Sequence, residues 1–337
     1  MGLPPSCPSP VPSAFAAAFR AAAGSGNVLP FDQFMALALY HPELGYYRRK
    51  RDRVGYGAGT DFYTASTSGP VFGELTAAAA VALLAGRDPA GFHWVEIGAE
   101  TDAGILAGVA HPFASACTLH VGEPIILQGP SIVVSNELFD AQPFRRVVRR
   151  AGGWQESGVR LEGDTLSAID LGPVADPERW PADAPEGYRI DAPCAAAQLA
   201  GAIAAQPWSG LFIAFDYGKS WAELASDCPE GTARAYHRHT QSNDLLAQPG
   251  DQDLTCHVCW DWIAAELAER GFASPRTEAQ EAFFVHHAAA YLESALRSDA
   301  TRLTERKRSL MQLLHPAHLG RKFQVLHAWR ENVQVSP

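Results

Sequence analysis

The segment from Phe92 to Leu106, FHWVEIGAETDAGIL, constrains the chain most. Trp94, Val95 and Ile97 make a short apolar run suited to a buried parallel strand. Gly98-Ala99 breaks it. Asp102 is placed to cap a following helix, predicted over Ala103 to Ala110, by accepting a hydrogen bond from a free N–H of the first turn. Strand, glycine turn and helix form the opening of an α/β nucleotide site, because free N–H groups at a helix start face an anion.

The glycine pattern narrows the choice. A dinucleotide fold requires G-x-G-x-x-G at this turn, and it is absent. An acid, one residue and then a looser G-x-G-x-G opens the class I methyltransferase site. Glu96-Ile97-Gly98 fits that start, Glu100 and Asp102 occupy the next two glycine positions, and Gly104 is a displaced third glycine.

At 337 residues the chain can bury one elaborated α/β domain or two smaller ones. A net charge of −10 argues against nonspecific binding to nucleic acid or anionic lipid. No apolar run reaches the length of a membrane-spanning helix. Cysteines at 7, 117, 194, 228, 256 and 259 are too scattered for a disulfide scaffold and fit a reducing cytoplasm. Residues 1–27 read as a flexible leader within which Ala14 to Ala23 can form a helix. With Arg20 as its only basic residue the leader is a poor transit peptide, so the expectation is cytoplasmic, or mitochondrial in a eukaryote.

Residues 28–90 read as an N-terminal helical segment and a lid loop. Phe31, Phe34, Met35, Ala38 and Leu39 share one face of a helix from Phe31 to Tyr40, stopped by His41-Pro42. The basic run Arg48 to Arg53 is either a solvated loop or a docking edge for an acidic partner. Gly55 to Glu74 holds five glycines and is too long for a simple connection, so it is predicted to fold over a pocket. Leu75 to Ala85 reads as an Ala-rich helix.

Residues 91–337 read as the main domain. Cys117 to Val121 and Ser131 to Ser135 are its next strands. Glu123, at the tip of the first, is either a ribose ligand or a surface acid. Ten residues between Val121 and Ile132 leave no room for a full helix-plus-strand unit, so one repeat of the usual sheet is predicted to be shortened or lost. Arg145 to Leu171 reads as an antiparallel meander inserted near 144–171. A helix over Ala192 to Ala205, a strand over Leu211 to Phe215, helices over Trp260 to Arg270, Glu278 to Arg297 and Thr301 to Leu314, and a closing strand over Phe323 to Trp329 complete the pattern. Cys256-His257-Val258-Cys259, with His237 and His239, lacks a second ligand pair, so buried thiols are favoured over zinc and no metal site is expected.

Ordered blocks carry a resemblance: YHPELGYY (40–47), DFYTASTSGPVFGE (61–74), VEIGA (95–99), SNELFDAQP (135–143), FDYG (215–218), GTARAYHRH (231–239), PGDQDLTCHV (249–258) and LGRKFQVL (319–326). Together they are similar to the MidA family of class I methyltransferases, over residues 30–328. The resemblance implies a Rossmann-like class I methyltransferase sheet with a helical N-terminal extension and an antiparallel β insertion, S-adenosylmethionine as cofactor, and a protein substrate methylated on arginine. A homodimer is compatible with it.

An arginine nucleophile needs carboxylates to orient its guanidinium and localise a lone pair. Glu137 and Asp140 follow a buried strand, three residues apart, and a helical turn would face both to one pocket. The competing reading is that both offset a helix dipole. Asn136 would orient substrate or donor, making Asn136, Glu137 and Asp140 the candidate catalytic residues. Glu96, Gly98, Ala99 and Glu123, with Asp61, Tyr63 and Thr64 of the lid, are the candidate donor-binding residues.

Departures from the family pattern cluster on that donor site. Glu100 adds a side chain where the backbone should approach the donor, Ser66 replaces a proline, Cys259 stands for an acid, and His286-His287 replace a glycine-bearing stretch. A family member retired to binding or assembly is therefore the alternative to an active methyltransferase.

Overall fold

The computed structural model describes residues 10–49, 70–99, 101, 103–298 and 304–331. It divides into two compact units. One comprises residues 1–62, 141–196 and 219–259; the other comprises 63–140, 197–218 and 260–337.

The first unit is built on a five-stranded antiparallel sheet. Gly153–Glu162 pairs along one edge with Thr165–Pro173, and along the other with Arg145–Arg150 and then Val28–Pro30. Arg189–Ala192 closes the far side of Arg145–Arg150. The predicted meander is present, and it recruits two strands from outside its own stretch of sequence. The helix Phe31–Tyr40 forms with the predicted bounds, and Phe31, Phe34, Met35, Ala38 and Leu39 are buried. Part of the expected flexible leader is ordered. Ser13–Ala23 is a helix that buries Phe15, Ala16 and Phe19 in the same core, because two aromatics one turn apart make a face too apolar to leave in water.

Buried Asp191 shows how this unit handles an interior charge. Its Oδ1 accepts from Arg146 Nε at 2.6 Å, and its Oδ2 accepts the N–H groups of Thr232 and Ala233 at 2.8 Å each. Both carboxylate oxygens are engaged, one of them by a guanidinium, which offsets the cost of burying the charge.

The second unit holds the six-stranded sheet: β1 (His93–Ile97), β2 (Ser115–Leu119), β3 (Gly129–Asn136), β4 (Trp208–Asp216), β5 (Ala273–Ala279) and β6 (Gln324–Arg330). Its spatial order is β5-β6-β4-β3-β1-β2. β1 to β4 run parallel, and β5 and β6 are antiparallel additions. All nine residues of β4 are buried, the pattern of a strand covered on both faces. Helices Pro70–Leu83, Gln280–His287 and Glu305–Leu314 contribute Phe72, Leu75, Phe283, Phe284 and Leu313 to its core.

Two local expectations are corrected. Residues 103–110 form turns instead of a helix. Gly104 and Gly108 stand at φ +62° and +69°, left-handed values that end helical winding. Ala273–Ala279, where the apolar pattern predicts no strand, is the second. It is an exposed edge strand with Pro275 and a register shift between Ala273 and Arg276, features that suit an unpaired edge and hide it from pattern reading. The lost repeat is as predicted, since β2 passes to β3 without a helix. Among the described residues no helix is long and apolar enough to cross a membrane.

Candidate functional site

In an open parallel sheet the ligand crevice lies at the carboxyl ends of the strands, where the chain reverses direction across the sheet. Here β2 lies on one side of β1 and β3 on the other. The crevice therefore opens at Gly98-Ala99, after β1, and Asn136-Glu137, after β3. Ile97 pairs with Ser135 across the two strands, so these turns are neighbours.

Glu96 does not project freely from β1. It is 4% exposed, and its Oε2 accepts the Ile105 N–H at 2.7 Å. Burial pushes its carboxyl up to about 7, against the lowering effects of that hydrogen bond and of His120. Glu96 thus shapes the loop after β1 by holding it from beneath. Gly98 has φ +80°, which favours glycine by conformation, while a Cβ there would meet only the movable tip of Leu138, 2.8 Å from its Cδ1.

The N–H groups of Gly98 and Ala99 donate to Leu119 O at 2.8 and 3.3 Å. They extend the sheet. With no helix following, the predicted anion seat at a helix start is absent from residues 103–110. His120, which the sequence reading passed over, bonds through Nδ1 to Ala99 O at 2.9 Å. Glu123 is exposed and closes its own turn, its Oε2 accepting from His120 N at 2.7 Å.

Asn136 ends β3. Its Nδ2 donates to Glu137 Oε1 at 3.2 Å, while its Oδ1 is buried without a hydrogen-bond partner, as is Ser135 Oγ. Buried polar atoms normally find partners. Consecutive strand residues face opposite sides of the sheet, so the two orphans are separate, and the acceptor Asn136 Oδ1 at the strand's end is the one that a polar ligand in the crevice would satisfy. Glu137 has φ +53°, a conformation costly for a residue with a Cβ and concentrated at functional sites.

Glu137 and Asp140 do not share a helical turn, because residues 137–142 are bends and turns. This corrects both the shared-turn expectation and the helix-dipole alternative. The organiser is Asp216, at the end of β4. It is fully buried. Its Oδ2 accepts the N–H groups of Phe139 and Asp140 at 2.9 and 3.2 Å, and its Oδ1 accepts Tyr217 N–H at 2.8 Å. Burial pushes its carboxyl up to about 7, against those three hydrogen bonds. A carboxylate directly after the apolar run Leu211 to Phe215 was its sequence signal.

Asn136, Glu137 and Asp140 therefore lie on one segment, with Glu96, Gly98, Ala99 and Glu123 at the ends of β1 and β2. Asp61, Tyr63 and Thr64, like Glu100 and Asp102, lie outside the described residues. At Cys256 to Cys259, both thiols are buried and burial holds His257 down to about 4.

Residues 118–276 match the model of a family described as "Putative S-adenosyl-L-methionine-dependent methyltransferase". Over 97% of this chain and 96% of the other, the fold superposes with TM-score 0.82 and 25% identity on a COG1565 superfamily member from Burkholderia thailandensis bound to S-adenosyl-homocysteine. A native crystal structure of a COG1565 superfamily protein from the same organism gives TM-score 0.79 at 24% identity, covering 97% and 96% of the two chains. The mitochondrial protein arginine methyltransferase NDUFAF7 of Danio rerio is 25% identical over 68% of this chain. The match spans 66% of that relative's length, just under two thirds.

Proposed function

We propose, for a chain that belongs to the MidA-like family of S-adenosylmethionine-dependent methyltransferases, that it transfers a methyl group to a protein side chain, and that the acceptor is arginine. The observation that carries the reading is the orphaned buried acceptor Asn136 Oδ1, at the strand end of a fold that superposes on an S-adenosyl-homocysteine complex over nearly its whole length. The arginine assignment draws on the likeness to NDUFAF7 and on the carboxylates of Glu137 and Asp140, which follow Asn136 in the chain.

S-adenosylmethionine, when bound, supplies an electrophilic methyl carbon. The chain's own residues supply orientation and a proton acceptor. Asn136 Oδ1 is an acceptor, suited to an N–H of the donor's ammonium or of a guanidinium. Glu137, half-buried at the mouth of the turn, accepts guanidinium N–H groups and fixes the attacking nitrogen on line. Asp140, its backbone held by Asp216, takes the proton that the nitrogen gives up as its bond to carbon forms. Glu96 and Asp216 are positioning residues.

One observation favours a second reading, a binding or assembly protein without catalysis. The loop after β1 carries no helix, and its first two N–H groups are engaged with Leu119 O. Calorimetric titration with S-adenosylmethionine and S-adenosylhomocysteine separates the two. Micromolar binding, followed by methyl incorporation into a protein extract and recovery of methylarginine, is the expected outcome. A folded protein that binds neither compound would instead be the non-catalytic form.

A further inference from the structure

We propose that Glu278, His287 and His327 form a binding site for one divalent transition-metal ion, of which zinc is the best match. The cluster is built by three elements of the second unit. Glu278 lies on β5 and His327 on the adjacent β6. Arg276 pairs with His327 and Glu278 with Val325, so Glu278 sits diagonally from His327 on the same face of the pair. The helix Gln280–His287 starts directly after β5 and brings His287 onto that face from its last turn.

The donor atoms converge. His287 Nε2 lies 3.0 Å and His327 Nε2 lies 3.1 Å from the same oxygen, Glu278 Oε1. One ligand atom from each residue falls within 4.8 Å of the others. A tetrahedral zinc site with bonds of about 2.0–2.1 Å separates its donors by about 3.3 Å, so small side-chain rotations suffice. Two imidazoles and one carboxylate form an established zinc ligand set that leaves one position to water.

An outer partner is also in place. His286 Nδ1 lies 2.6 Å from Glu278 Oε2, the oxygen facing away from the other two histidines, and a ligating carboxylate is commonly held in this way. Phe283 packs against both ligand rings, its centroid 5.1 Å from that of His287 and 5.6 Å from that of His327. The rings are thereby held in place before any ion arrives.

Without an ion the cluster is held by hydrogen bonds. Burial works to raise the Glu278 carboxyl, but hydrogen bonds from the three histidines overcome it and hold the group down to about 2. Burial pushes His327 down, toward the neutral form that ligates. Ion entry replaces the two hydrogen bonds to Glu278 Oε1: His287 and His327 must each hold a proton on Nδ1 alone, so that the Nε2 lone pair faces the ion, and no redox partner is needed. Arg276 is the cationic side chain nearby, and the exposed His286 is the remaining titratable neighbour. The inference is independent of the methyl-transfer reading.

The test uses the full chain stripped with a chelator and titrated with Zn²⁺, and separately with Co²⁺ followed by its visible absorption. The expected result is one ion per chain at micromolar or tighter affinity, a tetrahedral Co²⁺ spectrum, and a rise in melting temperature on addition of Zn²⁺. His287→Asn and Glu278→Gln, each checked for folding by thermal melting, should weaken binding by at least about 100-fold. His286→Asn should weaken it about 10-fold, as loss of an outer partner does. No uptake at 100-fold excess metal by a folded wild-type chain would overturn the proposal and leave a hydrogen-bonded cluster only. Undiminished binding by a folded ligand variant would overturn it equally, by placing the ion elsewhere.

Discussion

Glu96 and Gly104 are fitted to each other. The Glu96 carboxylate reaches under the loop to accept the N–H of Ile105 at 2.7 Å, and a Cβ on Gly104 would overlap that carboxylate and the Thr118 methyl. Gly104 is also left-handed, at φ +62°. Gly104→Ala therefore combines backbone strain with displacement of a buried acid, and should lower unfolding stability by about 2 kcal/mol or more. Urea denaturation measures it. A loss below about 0.5 kcal/mol would mean that the loop after β1 relaxes freely and that Glu96 does not hold it.

The same carboxyl makes stability depend on pH. Its folded value of about 7 stands above the ordinary 4.5, so the folded chain binds a proton more tightly than the unfolded one. The contribution is fully present below about 4.5, is lost as pH rises toward 7, and spans about 3 kcal/mol at most. Glu96→Gln keeps an acceptor for Ile105 and removes the charge. The variant should gain stability relative to wild type between pH 5 and pH 8. A constant difference across that range would show that Glu96 stays ionised in the fold.

Asp216 is predicted to act through the turn that it holds. Its two oxygens collect the N–H groups of Phe139, Asp140 and Tyr217. Asp216→Asn turns an amide NH₂ toward one of these donors. It should cost about 2–3 kcal/mol and reduce turnover, with partial recovery in Asp216→Glu. Asp140→Asn tests a different role. It should reduce methyl transfer about 100-fold or more while donor affinity stays within about twofold, read by single-turnover assay and calorimetry. Equal damage to donor affinity would move Asp140 from proton acceptor to donor ligand.

The sequence displays those features that a regular apolar period encodes. Phe31 to Tyr40 repeats at helical spacing and forms that helix, and the run Leu211 to Phe215 marks β4. The lost repeat follows from counting residues between two strands. Non-periodic features were hidden. β5 is polar and carries Pro275, because an edge strand need not bury either face. The loop after β1 shows helix-forming alanines, yet Gly104 and Gly108 and the pull of Glu96 on Ile105 override them. Asp216 is marked only by its place after an apolar run, and the roles that it and His327 take come from neighbours distant in sequence.

Glu137 offers the sharpest separation of stability from function. Its φ of +53° costs about 1–2 kcal/mol relative to an ordinary conformation, whereas glycine adopts that φ without strain but gives up more chain entropy on folding. Glu137→Gly should therefore match or exceed wild-type stability, by up to about 1 kcal/mol. It should also lose methyl transfer about 100-fold, because the carboxylate that orients the acceptor is gone. Thermal unfolding and a methyl-incorporation assay on one preparation give both numbers. A stable variant with full activity would remove Glu137 from the mechanism. A clearly destabilised variant would mean that the side chain's bonds, including that from Asn136 Nδ2 at 3.2 Å, outweigh the strain, so the left-handed backbone would be a consequence of packing and would carry no functional signal.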